Sequence, residues 1–171
     1  MNPLLQHIAP SLIRELHGKK RPSSIDLGLG EPTLRPDMAP LRAALKWVED
    51  NGCPYSPNAG FHDLREAIAR HYGYPGMGAA ESACVTVGSQ EALHVAVKTL
   101  CDPAADEVLI VAPAYPLYAK LCQMEGVAHR LAWLDAAEGF RPDAARVLAE
   151  ITERTRVLVL ASPSNPTGRI W

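Results

Sequence analysis

Three short groups of residues in this chain have the types and spacing to hold a flat, anionic ligand. Gly88-Ser89-Gln90 lies between a β-branched run, Cys84 to Val87, and a stretch with helical spacing. In that stretch Ala92, Ala96 and Leu100 form one apolar row, with Leu93 and Val97 beside it. A strand that turns at Gly-Ser into a helix leaves the first-turn N–H groups without intrahelical partners, at the positive end of the helix dipole. Such a turn suits a phosphate dianion. Gly88 lets the backbone approach closely, and Ser89 either caps the helix or donates its hydroxyl to the anion. Taken alone, the group also reads as an ordinary strand-to-helix turn with a serine cap. Tyr115, in Ala112-Pro-Ala-Tyr-Pro-Leu-Tyr118, offers an aromatic face. Asn165, in Ser162-Pro-Ser-Asn-Pro-Thr-Gly168, offers an amide for a ring hydroxyl. Singly these are a core aromatic and a turn residue. Jointly, the three suit a phosphorylated planar ring.

The elements that must position them alternate. Cys84–Val87, Glu107–Val111, Val127–Ala132 and Arg156–Leu160 read as strands, with helices over Tyr115–Glu125 and Pro142–Ile151. The order predicts an α/β fold, an open and mainly parallel sheet with flanking helices. Ligands of such sheets bind at the carboxyl ends of the strands, which is where each of the three groups falls.

Upstream, Ile8, Leu12, Ile13 and Leu16 mark one face of a short helix ended by Gly18 and Pro22, isolated enough to expect packing on a neighbour. Gly28 and Gly30 resemble the start of a dinucleotide fingerprint. Thr33 stands where the third glycine belongs, however, and Pro32 and Pro36 forbid the helix. A glycine-rich loop remains. Met38–Asp50 reads as a helix with Leu41, Leu45 and Val48 inward, and Phe61–Tyr72 as another. Tyr55–Gly60 and Tyr74–Gly78 read as loops.

Composition excludes several classes. The 171 residues carry a net charge of −2, which gives no electrostatic case for nucleic acid or an anionic membrane. Cys53, Cys84, Cys101 and Cys122 form no CxxC pair or zinc cluster, and read as reduced, mostly buried thiols of a cytoplasmic protein. No apolar run is long enough for a bilayer, and Met1–Lys20 lacks the order of a signal peptide.

From about Ile25 onward the chain resembles the class I/II aminotransferases, the fold-type I enzymes that use pyridoxal 5'-phosphate. The resemblance rests on Gly28-Leu-Gly-Glu-Pro32, Tyr55 to Arg65, Val85 to Leu93, Pro113-Ala-Tyr115 with Tyr118, and Asn165-Pro-Thr-Gly168, the most specific of the five. It implies that Gly88, Ser89 and Gln90 hold the cofactor phosphate and that Tyr115 stacks on the pyridine ring. Asn165 would bond the ring's 3-hydroxyl and help hold the substrate carboxylate, which Gly30 borders by its backbone. Tyr55 would reach the cofactor of the partner subunit in a homodimer. The resemblance also implies a cis Asn165–Pro166 bond. The implied division is an amino-terminal helical, small-domain segment at 1–79 and the first part of a cofactor-binding large domain at 80–171.

One departure is large. The family's ring-nitrogen aspartate, Schiff-base lysine and carboxylate-gripping arginine all lie beyond Trp171. Lys19, Lys20, Lys46, Lys98 and Lys120 sit in loops or on polar helix faces, without the family's lysine context. The chain therefore reads as the amino-terminal part of an aminotransferase, truncated and inactive alone, whose family moves an amino group from an amino acid to a 2-oxo acid. Carbon–sulfur lyases and cyclopropane-carboxylate synthases share these motifs. A reading of another class is a non-catalytic binding or dimerisation fragment.

Overall fold

The computed structural model describes Pro3, Gln6, Ile8 and residues 12–25, 27–28, 30–73 and 79–171. The expected loop Tyr74–Gly78, and Leu29 within the glycine-rich motif, lie outside the described residues. Contacts divide the chain into two compact units, Pro10–Thr86 and Val87–Trp171 with Met1–Ala9.

The second unit contains a parallel sheet in the order β2-β1-β3, built from β1 (Glu107–Ala112), β2 (Ala128–Trp133) and β3 (Thr155–Val159). Helices α4 (Gly88–Leu100), α5 (Leu117–Glu125) and α6 (Ala144–Ala149) connect and cover the strands. The sequence Glu-Val-Leu-Ile-Val-Ala is apolar almost throughout because β1 is central and buried on both faces, along its whole length. The pleat sorts its residues. Val108 and Ile110 pack with Val97, Cys101, Cys122 and Val127 on one face, while Leu109 and Val111 pack with Ala132, Leu134 and Val147 on the other. At the amino-terminal edge Glu107 is buried. The Thr152 and Thr155 hydroxyls donate to its Oε1 at 2.7 and 2.9 Å, and Arg130 Nη1 lies at 3.8 Å. The Thr152 bond, opposed by burial and helped by Thr155 and Arg130, holds this carboxyl below the usual range.

The first unit contains α1 (Leu12–Gly18), α2 (Ala39–Asn51), α3 (His62–Tyr72) and a 3₁₀ turn at Ala79–Ser82. Ile8 falls outside α1. The face of α2 read as inward is exposed at Leu41, Leu45 and Val48, because no described element of this unit covers it. An edge-on contact between Trp47 and Phe61, with ring centroids 6.0 Å apart, links α2 to the start of α3.

Two local expectations are corrected. Cys84–Val87 is not a strand, since a strand exists only through a ladder partner: residues 84–86 have no regular structure, and Val87, with φ of −75° and ψ of 74°, is a bend. The backbone N–H of Val85 instead donates to Ala59 O at 2.9 Å in an isolated bond. The thiols also divide evenly: Cys101 and Cys122 are buried, Cys53 and Cys84 exposed. Burial pushes the Cys122 thiol up to about 11, and desolvation raises Cys101 too, so both stay protonated and inert at neutral pH.

Candidate cofactor site

The first group opens α4. Gly88 is its first residue, with φ of 73°, a left-handed conformation that favours glycine, and open space where a Cβ would stand. The N-cap is Val87, whose side chain makes no cap bond, so the sequence reading of Ser89 as the cap is corrected: Ser89 is the second helical residue. A valine cannot accept from the helix's first N–H groups, whereas Ser89 can turn its hydroxyl outward. The Glu91 carboxylate accepts the Val87 backbone N–H, a contact that sequence reading missed although an acid in the first turn is the usual signal for it. Gly88, Ser89 and Gln90 are all exposed.

The direction of α4 fixes where these residues lie. Its last carbonyl, Leu100 O, accepts from Arg156 Nε at 3.3 Å, beside the first residues of β3, and the chain re-enters the sheet at Glu107 shortly after. Helix α4 therefore runs antiparallel to β1 and β3. Its 13 residues span about 20 Å, at about 1.5 Å per residue, comparable to the strands' length. That span brings Gly88 to the carboxyl edge of the sheet.

The second and third groups leave the same edge. Tyr115 follows β1 by three residues, after a cis Ala112–Pro113 bond, and Pro116 sets the start of α5. Its ring is half-buried and perpendicular to that of Tyr118, at 87° with centroids 5.9 Å apart. Asn165 follows β3 in a turn closed twice: Ser164 N–H donates to Arg169 O at 2.8 Å and Gly168 N–H to Ser164 O at 2.7 Å. The Asn165–Pro166 bond is cis, and Asn165 is exposed. β1 and β3 are adjacent and parallel, so the fold carries Gly88-Ser89-Gln90, Tyr115 and Asn165 to one edge. Gly30 and Tyr55 belong to the 10–86 unit, where both are exposed. In that unit a cleft of about 300 Å³ is lined by Leu16, His17, Lys20 and Gly28, and one of about 430 Å³ by Trp47, Val48, Phe61 and Leu64. Among the described residues no helix is long and apolar enough to cross a membrane, and no group of three ligating side chains could hold a metal.

The family model for aminotransferase class I and II matches residues 23–171. The chain belongs to this family. The chain is 34% identical to the "Probable aspartate aminotransferase" of Methanocaldococcus jannaschii, over 97% of its own length and 44% of that protein's. It is 33% identical to the aspartate aminotransferase of Pyrococcus horikoshii, over 94% of itself and 42% of that protein. Among solved structures it is similar to the aspartate aminotransferase of Thermus thermophilus with maleate, with a TM-score of 0.87 and 31% identity, covering 99% of this chain and 46% of that one. The chain thus spans less than half the length of the relatives it matches.

Proposed function

We propose that this chain supplies the non-covalent seat for pyridoxal 5'-phosphate in an aminotransferase that moves an amino group from an amino acid to a 2-oxo acid. The observation carrying this reading is the delivery of a helix start whose N-cap side chain makes no cap bond, an aromatic ring and an amide to one edge of a parallel sheet. The donor set fits the group. Ser89 and Gln90 offer first-turn N–H groups and a hydroxyl to a phosphate dianion, and the α4 dipole adds to its hold. Tyr115 lies against the ring face. The Asn165 side chain donates to the 3-hydroxyl oxygen and faces the substrate carboxylate. When bound, the cofactor supplies an electron-withdrawing ring that eases proton loss from the substrate's α-carbon. A homodimer in a cytoplasmic setting completes the proposal, together with its division at 79/80. The full exposure of Tyr55, with a relative accessibility of 104%, supports its reaching the partner subunit's cofactor.

The covalent chemistry is assigned elsewhere than to this chain's lysines. Lys19, Lys46 and Lys98 are solvent-exposed and ion-paired to Glu15, Asp50 and Glu125, at 2.7, 3.0 and 3.0 Å. A salt-bridged ammonium in water is the wrong form of the group for attack on an aldehyde, which needs the free amine. Treating the 171-residue chain with pyridoxal phosphate, an amino acid and a 2-oxo acid, then with borohydride, tests this directly. Expected are no amino transfer and sparse adducts scattered over exposed lysines. One stoichiometric adduct at a single lysine, with amino transfer, would overturn the assignment.

A further inference from the structure

We propose that Arg169 is a positioning residue for Asn165, bracing its turn against Gly139. The inference rests on the seat reading above and names a residue which that reading does not contain. Asn165 sits on an exposed turn, six residues beyond the end of β3. The turn is closed on itself by Ser164 and Gly168, as described, and among the described residues its side-chain tie to the sheet's covering layer is Arg169. The Arg169 Nε–H donates to Gly139 O at 2.8 Å, across 30 residues of sequence.

The receiving turn is rigid for reasons of its own. Gly139 N–H donates to Ala136 O at 3.0 Å and Phe140 N–H to Asp135 O at 2.8 Å. The Asp135 carboxylate accepts from Ala137 N at 2.8 Å, and the Phe140 side chain packs on the core cluster of Leu109, Val111 and Ala132. Both Gly139 and Phe140 hold positive φ, 62° and 57°. A Cβ at position 139 would stand 2.6 Å from Arg169 Nη2, so the end of the arginine side chain would have to move aside. The path runs from the core through Phe140 and the Gly139 carbonyl to Arg169 and the Asn165 turn.

Arg169→Lys keeps the charge and removes the Nε–H donor; Gly139→Ala keeps Arg169 but displaces its guanidinium and strains the receiving turn, which holds φ of 62°. Two readouts apply to the intact chain. In both variants, amide hydrogen exchange at Ser164 and Gly168 should quicken while Val108 and Ile110 stay protected. Binding of pyridoxine 5'-phosphate, which has no aldehyde to react with lysines, should weaken about threefold to tenfold, the scale of one ordinary hydrogen bond. Binding of inorganic phosphate, which needs the helix start but not Asn165, should be unchanged. Equal loss of both probes, or unchanged exchange and affinity in both variants, would overturn the brace. If the wild-type chain binds neither probe, the seat reading fails, and exchange at Ser164 and Gly168 alone decides whether Arg169 holds the turn.

Discussion

Replacing Ser89 with aspartate is expected to abolish binding of every phosphorylated ligand to the chain while leaving the fold intact. Two opposite charges of equal size attract, and two like charges repel, by about 4 kcal/mol at 4 Å in a partly screened protein surface, where the effective dielectric constant is about 20. A carboxylate at the second residue of α4 would face the phosphate at such a range, and about 4 kcal/mol is roughly a 10³-fold loss. The same substitution favours the helix, because an acid in the first turn complements the dipole by about 0.3–1 kcal/mol. Function and folding are thereby pulled in opposite directions. Calorimetric titration with pyridoxine 5'-phosphate should show no saturation, while the melting temperature holds or rises. Ser89→Ala, which loses only the hydroxyl, should cost far less. Retained affinity in the aspartate variant would place the phosphate away from α4.

The largest stability effect is expected at Leu109. Its side chain is fully buried, at 0% exposure, in the centre of β1 between Arg130 and Leu158 of the neighbouring strands. Truncation to alanine removes a buried isobutyl group and leaves a cavity whose walls are held by Ala132, Leu134 and Val147, so the loss should be about 2–5 kcal/mol. That is a large share of the 5–15 kcal/mol, roughly, on which a domain of this kind stands. Leu131→Ala, on an edge strand and 40% exposed, should cost less than half as much. Urea titrations of the two variants give the comparison, read from midpoints at constant slope. A loss under about 1 kcal/mol at Leu109 would contradict the packing described. Because β1 runs directly into the Tyr115 loop, destabilising it should also loosen the Tyr115 ring.

The alternation of elements from Glu107 to Val159 is legible in the sequence because apolar residues lie between turn residues in each strand, nearly continuous in β1 and interrupted by His129 and Arg130 in β2, and each strand has a ladder partner. Cys84–Val87 has the same composition and lacks the partner. Ladder pairing is set by residues distant in sequence, so a local pattern cannot supply the partner that makes a strand. The helix spacing of Leu41, Leu45 and Val48 is equally clear, but amphipathic spacing tells which face is apolar, not whether anything covers it. At the candidate site, the three residue groups are visible from their types and from the strands they follow. The cap at Val87 is not, because a serine beside a glycine looks like a better cap than a valine. Nor is Arg169, whose partner Gly139 lies 30 residues away and offers only a backbone carbonyl. Nothing in a single sequence couples an arginine to a main-chain oxygen.

The most direct test of the seat is a residue-level map of ligand contact in the isotopically labelled chain. On titration with pyridoxine 5'-phosphate, the amide resonances of Ser89 and Gln90, the ring resonances of Tyr115 and the side-chain amide of Asn165 should shift together, with one dissociation constant. Inorganic phosphate should move Ser89 and Gln90 and leave Tyr115 and Asn165 in place. Shifts that gather instead around Trp47, Val48 and Phe61, or that move Ser89 and Asn165 with unrelated constants, would contradict a single seat at the carboxyl edge of the sheet.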